Sequence, residues 1–215
     1  MAFSTYAGLK TAMADWLNRE DLSQQIPDFI ELARHTLNKV CRTTWMVKTD
    51  NVTIPINTRN ASFPADMLEP IFICNSTDDD GTLEQVSVQH LTMLRRSRLR
   101  ATGTPRFFAQ VGRKIEVAPT PSAQITLEVS YYKTIAALSA DGDTNDVLTN
   151  DPDLMLYTAL LHASPFLKDD QKTMLFGSLV AQQVAAAVQN NTKLQPDSKQ
   201  PGFSLSAPAD PARPA

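Results

Sequence analysis

The chain has 215 residues, of which 42% are hydrophobic and 20% are charged, enough for one large domain or one domain with an insertion. Its formal net charge of −3 is too small to predict a polyanionic partner through bulk charge. The N-terminal residues lack a basic start before an apolar core, and no apolar run approaches the roughly 20 residues of a spanning helix. The sequence therefore predicts no signal peptide, no membrane span and folding in a cytoplasm.

Two amphipathic helices are predicted at the N-terminus. Leu9, Met13, Trp16 and Leu17 recur at helical spacing over residues 4–18, after Ser4 or Thr5 as N-cap. A second helix covers residues 24–43. Its first turn holds Pro27, and its apolar stripe consists of Ile26, Phe29, Ile30, Ala33, Leu37, Val40 and Cys41, with Arg34, Asn38 and Lys39 away from that stripe. The short acidic connection between the helices predicts an antiparallel hairpin.

From Thr44 onward the apolar period changes from 3.6 to 2, which indicates strands. Val52, Ile54 and Ile56 alternate with polar residues, and Pro55 makes this strand an edge strand or a bulged one. Pro64 and Pro70 bracket a turn before the strand at residues 71–75.

Further elements follow in the same region. Val88, Leu91 and Leu94 predict a short helix over residues 87–99. Two apolar segments flank Gly112-Arg113 and predict a hairpin, since Gly112 suits the positive φ of a tight turn. Alternating apolar residues over 125–131 predict the clearest strand of the chain.

A second pair of helices is predicted at residues 151–194, joined by a short acidic turn. Asp151 suits the N-cap and Pro152 the first helical position. The first helix of the pair is apolar on more than one face, so it is expected to be covered on several sides. Its partner repeats Phe176, Val180, Val184 and Val188 and ends near residues 190–194.

These elements predict an α+β fold. Residues 1–44 and 150–194 form a helical bundle built from two hairpins, with Trp16, Leu37 and Tyr157 inside it. Residues 45–149 form a β-rich antiparallel insertion. Residues 195–215 contain five prolines with almost no periodicity, which predicts an extended C-terminal arm.

No pattern in the sequence predicts catalysis, a metal site or a cofactor. The three histidines, His35, His90 and His162, lack metal-ligand spacing. Residues 141–152 begin like an EF-hand loop but lack its glycine and its bidentate glutamate. Walker A, GxGxxG and GxSxG motifs are missing. Cys41 and Cys74 are expected to be reduced and buried. The sequence predicts that the protein is not an enzyme.

One charged cluster could bind a partner. Its arginines are Arg95, Arg96, Arg98 and Arg100. Guanidinium groups suit bidentate contacts with carboxylates and phosphates. The cluster is therefore a candidate interface with a neighbouring subunit or partner protein, and the alternative is a nucleic-acid-binding module that uses these same arginines. A solvated helix end, with cations near the negative end of the dipole, explains the cluster equally well.

Several blocks of the sequence, in order, resemble the head–tail adaptor (connector) proteins of tailed bacteriophages, especially short-tailed ones. The blocks are AGLKTAMADWLNREDL, IPDFIELARHTLN, FPADMLEP, VSVQHLTMLR, GTPRFFAQVGRKIEVAPTP, LEVSYYKTIAALS and LTNDPDLMLYTALLHASPFLKDD. Together they cover most of residues 5–190. One departure is at Asp146-Val147, where such proteins carry a tryptophan.

The resemblance implies a structural virion protein. Such a protein forms a ring of twelve subunits beneath the portal, extends the DNA channel and supports the tail nozzle or tube. Its partners are then the portal protein, neighbouring adaptor subunits and a tail protein, with no membrane and no sequence-specific DNA contact. The arm lies outside the resemblance. Phe203 and Leu205 are its expected apolar anchors on an adjacent subunit or the portal.

Overall fold

The computed structural model describes residues 3–19, 21–76, 81–96 and 102–194, with side chains as far as Ala187 in the last helix. The helices are α1 (Tyr6–Leu17), α2 (Ile26–Val40), α3 (Val88–Arg96), α4 (Asp146–Asn150), α5 (Pro152–Phe166) and α6 (Asp170–Leu194). The strands are β1 (Val47–Ile54), β2 (Asn60–Ser62), β3 (Met67–Asn75), β4 (Glu84–Gln85), β5 (Phe107–Val111), β6 (Lys114–Ala118) and β7 (Ile125–Lys133). The predicted α+β class is confirmed.

The long helices begin and end where local chemistry dictates. The Thr5 hydroxyl accepts a hydrogen bond from the Gly8 N–H at 3.3 Å, which caps α1. Asn18 ends that helix in the left-handed conformation with φ 50°. Pro27 lies in the first turn of α2, where the missing N–H costs nothing.

The helices share one hydrophobic core. α2 packs mainly against α5, and α6 runs antiparallel to α5. Leu9, Leu37 and Leu160 are fully buried there. α5 buries residues on several faces, as its apolar pattern predicted: Leu154, Met155, Leu156, Thr158, Ala159, Leu160, Ala163 and Ser164. Packing as two hairpins, and the division into a bundle and an insertion, stay predictions.

Residues from the β-rich region also enter this core. The buried set includes Met46, Ile135, Val147 and Leu148. The expected interior position of Trp16 is wrong, since this residue is 47% exposed and its ring packs edge-on against Tyr157 with ring centroids 5.7 Å apart. Leu37 is buried as expected, and Tyr157 is half-buried against the core.

A three-stranded antiparallel sheet has the order β1-β7-β3, with the strongly alternating β7 at its centre. β1 ends just before Pro55 and is an edge strand, as that proline predicted. Two expectations fail here. Ile56 lies outside the strand and is exposed, and Pro70 lies within β3, where the register with β7 shifts.

A four-stranded sheet has the order β2-β6-β5-β4. The predicted hairpin of β5 and β6 is confirmed, and Gly112 adopts φ 61° in its turn. Thr82 bridges Cys74, and the Leu83 N–H donates to the Ile73 carbonyl at 2.9 Å. The strands therefore follow one another around a second core in the order β1, β7, β3, β4, β5, β6, β2.

Polar side chains of α2 fasten the helices to the β-rich region. The Asn38 Oδ1 accepts from the Ile135 N–H at 2.9 Å, and the Arg34 Nη1 donates to the Ile135 carbonyl at 3.1 Å. These residues were expected to lie away from the packed stripe. They form hydrogen bonds with the backbone N–H and carbonyl of Ile135, in the segment that follows β7. Val40, by contrast, was expected in the stripe and is exposed.

The N-terminus of α5 departs from its expected cap. Asp151 occupies the N-cap position, but its side chain makes no capping bond. Its Oδ2 accepts from the Trp45 Nε1–H at 2.9 Å instead. This contact joins the start of α5 to the turn that leads into β1.

Candidate assembly surfaces

A cluster of metal-ligating side chains or a membrane-spanning helix would indicate a function for the described part of the chain. No cluster of three or more His, Cys, Asp or Glu side chains in those residues could hold a metal ion. No helix there is long and apolar enough to cross a membrane. The His162 Nε2 lies 2.9 Å from the Thr36 hydroxyl, where it links α5 to α2.

The side chains of the acidic loop before α4 form hydrogen bonds within the loop and with the first turn of α4. The Asp143 Oδ2 accepts from the Ser139 N–H at 2.8 Å and from the Ala140 N–H at 2.7 Å. The Asn145 Oδ1 accepts from the Leu148 N–H at 3.0 Å and caps α4. These bonds give the loop a structural role.

The two cysteines differ in environment. Cys41 is buried, and burial raises the pKa of its thiol to about 11, with the Asp151 charge adding to the effect. Cys74 is half-buried, so the expectation that both cysteines are buried is wrong for Cys74. Its side chain is on the sheet face opposite the second core, in register with Glu128.

The arginine cluster is divided by the structure. The Arg95 Nη1 donates to Glu116 Oε2 at 2.7 Å and its Nη2 to the Val117 carbonyl at 3.3 Å, so Arg95 ties α3 to β6. The Arg95 side chain is 17% exposed. Arg96 is exposed at the end of α3. Arg98 and Arg100 lie outside the described residues, as do the expected arm anchors Phe203 and Leu205.

α3 presents an apolar face to solvent that sequence periodicity did not indicate. Leu91 is buried against Ala109 and Ala118, whereas Val88, which belongs to the same helical pattern, is exposed. Met93 is 71% exposed and lines a shallow groove with Ser87, Gln89, His90 and Leu94. Met93 and these four residues form the α3 face.

The end of the helical core where α5 turns into α6 carries a second exposed apolar set. Phe166 is 57% exposed and packs edge-on against Phe29, with ring centroids 5.5 Å apart. Met174 is 79% exposed and Leu175 is 54% exposed in the first turns of α6. Phe166, Met174 and Leu175 are called the α5–α6 end below. Large exposed apolar groups are typical of protein–protein contact sites.

We expect His162 to make stability depend on pH. Burial lowers the pKa of His162 from its usual 6.5, so the folded state favours the neutral ring. Its contribution is complete above pH 6.5 and is lost as the pH falls below that value, because the unfolded chain protonates first. Unfolding by urea should show the free energy of unfolding falling as the pH is lowered below 6.5.

The matched variants are His162→Gln and His90→Gln, since His90 is exposed on α3. The first should flatten this pH dependence and the second should leave it unchanged. An equal slope in both variants would show that another group titrates.

The comparison with protein families identifies the chain. No curated protein matches it. The model of the SU10 adaptor protein family matches residues 4–202, nearly the whole chain, and the match continues past Leu194 into the predicted arm. This confirms the resemblance to phage adaptors. The chain therefore belongs to the SU10 adaptor protein family and is a phage adaptor, a structural component of the virion.

Proposed function

We propose that this adaptor forms a ring of twelve subunits between the portal and the tail nozzle or tube. The ring extends the channel through which packaged DNA passes, without sequence-specific binding, and it assembles in the cytoplasm of the host bacterium. Membership of the adaptor family over residues 4–202 carries this proposal.

The exposed apolar sets support it. The α3 face and the α5–α6 end lie on different elements, so one subunit can contact two different surfaces. Contacts between unlike surfaces of identical subunits generate a closed ring when the rotation from one subunit to the next brings the last subunit back to the first. The portal can act as the template that supplies this rotation.

The arm adds a further contact in this proposal. Residues 195–215 strap the subunit to an adjacent adaptor subunit or to the portal, with Phe203 and Leu205 as anchors. Proline-rich segments lose little conformational entropy when they dock in an extended form.

The nucleic-acid-binding alternative has less support. The guanidinium of Arg95 is paired with Glu116, which leaves Arg96 as the exposed arginine of α3. An affinity of the isolated adaptor for DNA that falls steeply with salt would favour the alternative, because phosphate contacts release counterions.

The decisive experiment is a pull-down of the adaptor with its portal, imaged by electron microscopy. We expect the isolated adaptor to be largely monomeric in light scattering and to appear as a ring only on the portal. A net charge of −3 drives association weakly, and the helical core already buries its own apolar stripes. A stable free dodecamer would contradict templating, and portal particles without adaptor density would contradict the proposed function.

A further inference from the structure

The series of strands around the second core has two unpaired ends. β1 pairs with β7 alone and β2 with β6 alone. Within the described residues, no backbone group from elsewhere bonds the outer edge of β1 between Lys48 and Thr53. The Asn51 N–H is taken by the Asp50 carboxylate at 3.1 Å. That partner is the side chain of the preceding residue and not β7, so the amide lies on the outer edge of β1, where the carbonyl of a further strand can displace the carboxylate.

A groove runs between β1 and the segment that includes the end of β2. Residues 50–53 of β1 line one wall, and residues 61–64 line the other. Val52 and Phe63 are buried on its inner side, whereas Asp50, Asn51 and Thr53 are exposed at its mouth. A free strand edge beside apolar side chains is the arrangement that binds an extended peptide by strand addition.

We propose that residues 202–207 of a neighbouring copy bind in this groove as a strand paired with the outer edge of β1. The inference rests on the proposed ring and names the contact that its arm makes. Pro201 and Pro208 bound this segment, which is the longest proline-free run after Leu194. Proline lacks the N–H that a paired strand needs, so pairing is confined to this run.

The side chains of the segment suit the groove. Phe203 and Leu205 alternate with serines, so in a strand both point to the same side. That side meets Val52 and Phe63, and the serines face solvent. The segment carries no charge, and Asp50 at the mouth of the groove is already paired with Lys48 at 3.3 Å.

The proposed ring favours a neighbouring copy as the source, and the end of α6 shows where the arm begins. Residues 183–187 of α6 lie beside Asn150–Leu154 at the N-terminus of α5. The helix continues through residues 188–194, about 10 Å further at 1.5 Å per residue. The described end of α6 therefore extends beyond the part of the helix that lies beside α5. An arm on one surface and a groove on another make a contact between unlike surfaces, as a ring requires.

Asn51→Pro tests the pairing in adaptor rings assembled on the portal. It removes the outward N–H, and an edge strand tolerates proline where its N–H faces solvent. Hydrogen exchange at residues 203–206 should be slowed by about tenfold or more in rings of the natural sequence, and Asn51→Pro should abolish that protection. Asn51→Ala keeps the N–H and is the matched control, with protection retained. Rings in which residues 203–206 exchange freely overturn the proposal.

Cysteine pairs identify the source of the strand in a Cys74→Ser background. Copies with Ser204→Cys are mixed with copies that carry Thr49→Cys, Asn51→Cys or Thr53→Cys, and rings on the portal are mildly oxidised. A covalent dimer in at least one mixture is expected. Intact rings without any dimer overturn the inference and leave the proposed function standing. An internal disulfide in free, doubly substituted subunits overturns the assignment to a neighbour. Failure of the natural sequence to form rings on the portal overturns the proposed function itself.

Discussion

Leu37→Ala should lower the free energy of unfolding by roughly 2–5 kcal/mol, the cost of truncating a buried leucine. Leu37 is completely buried on α2, in the core that α2 shares with α1, α5 and α6. Truncation removes its apolar contacts and leaves a cavity that the surrounding helices fill only in part. Urea unfolding followed by circular dichroism measures the loss.

Val40→Ala is the matched control on the same helix. Val40 was expected in the apolar stripe but is 47% exposed, so its truncation should change stability by no more than about 0.5 kcal/mol. A loss below that value for Leu37→Ala would show that α2 does not pack as described. Equal losses for the two variants would contradict the assignment of the buried face.

The sequence predicted those elements whose periodicity is strong and whose ends carry local signals. α5 follows Asp151-Pro152 and is apolar on several faces, and the hairpin needs only Gly112 in its turn. β7 alternates strictly because one of its faces covers the second core. In each case the local pattern and the tertiary environment agree, so the element could be predicted from residues that are near one another in the sequence.

The misses come from contacts between distant parts of the chain. Asn38 and Arg34 were placed away from the apolar stripe, and the sequence did not indicate that both form hydrogen bonds with the backbone of Ile135. The helical spacing of Val88 and Leu91 predicted the helix α3 but not which of the two residues is buried. α3 rests on the small residues Ala109 and Ala118, and Leu91 alone fills that contact.

The candidate surfaces were the least predictable feature. An exposed apolar residue has the same sequence signature as a buried one, so Met93, Phe166 and Met174 carried no signal of their own. The arginine cluster was visible as charge, but its division between an internal ion pair and solvent depends on Glu116. That residue is on another element, in β6.

Arg95 and Arg96 should therefore respond differently to substitution, although they are adjacent. Arg95→Ala breaks a charge-assisted hydrogen bond of 2.7 Å to Glu116. The Arg95 and Glu116 side chains are only 17% and 24% exposed, respectively. We expect a loss of about 1.5–3 kcal/mol, typical of hydrogen bonds to charged groups. Glu116→Ala and the double variant complete a thermodynamic cycle, and a coupling near zero would show that the pair contributes nothing.

Arg96→Glu should leave stability within about 0.5 kcal/mol, because the side chain is exposed. If Arg96 meets carboxylates of a neighbouring subunit or partner, as we propose, charge reversal puts like charges together and lowers the number of portals that carry a ring. Arg96→Gln removes the attraction without the repulsion, so its effect on assembly should be smaller. Unchanged ring occupancy in both variants, counted by electron microscopy, would show that Arg96 is a solvated charge at the helix end.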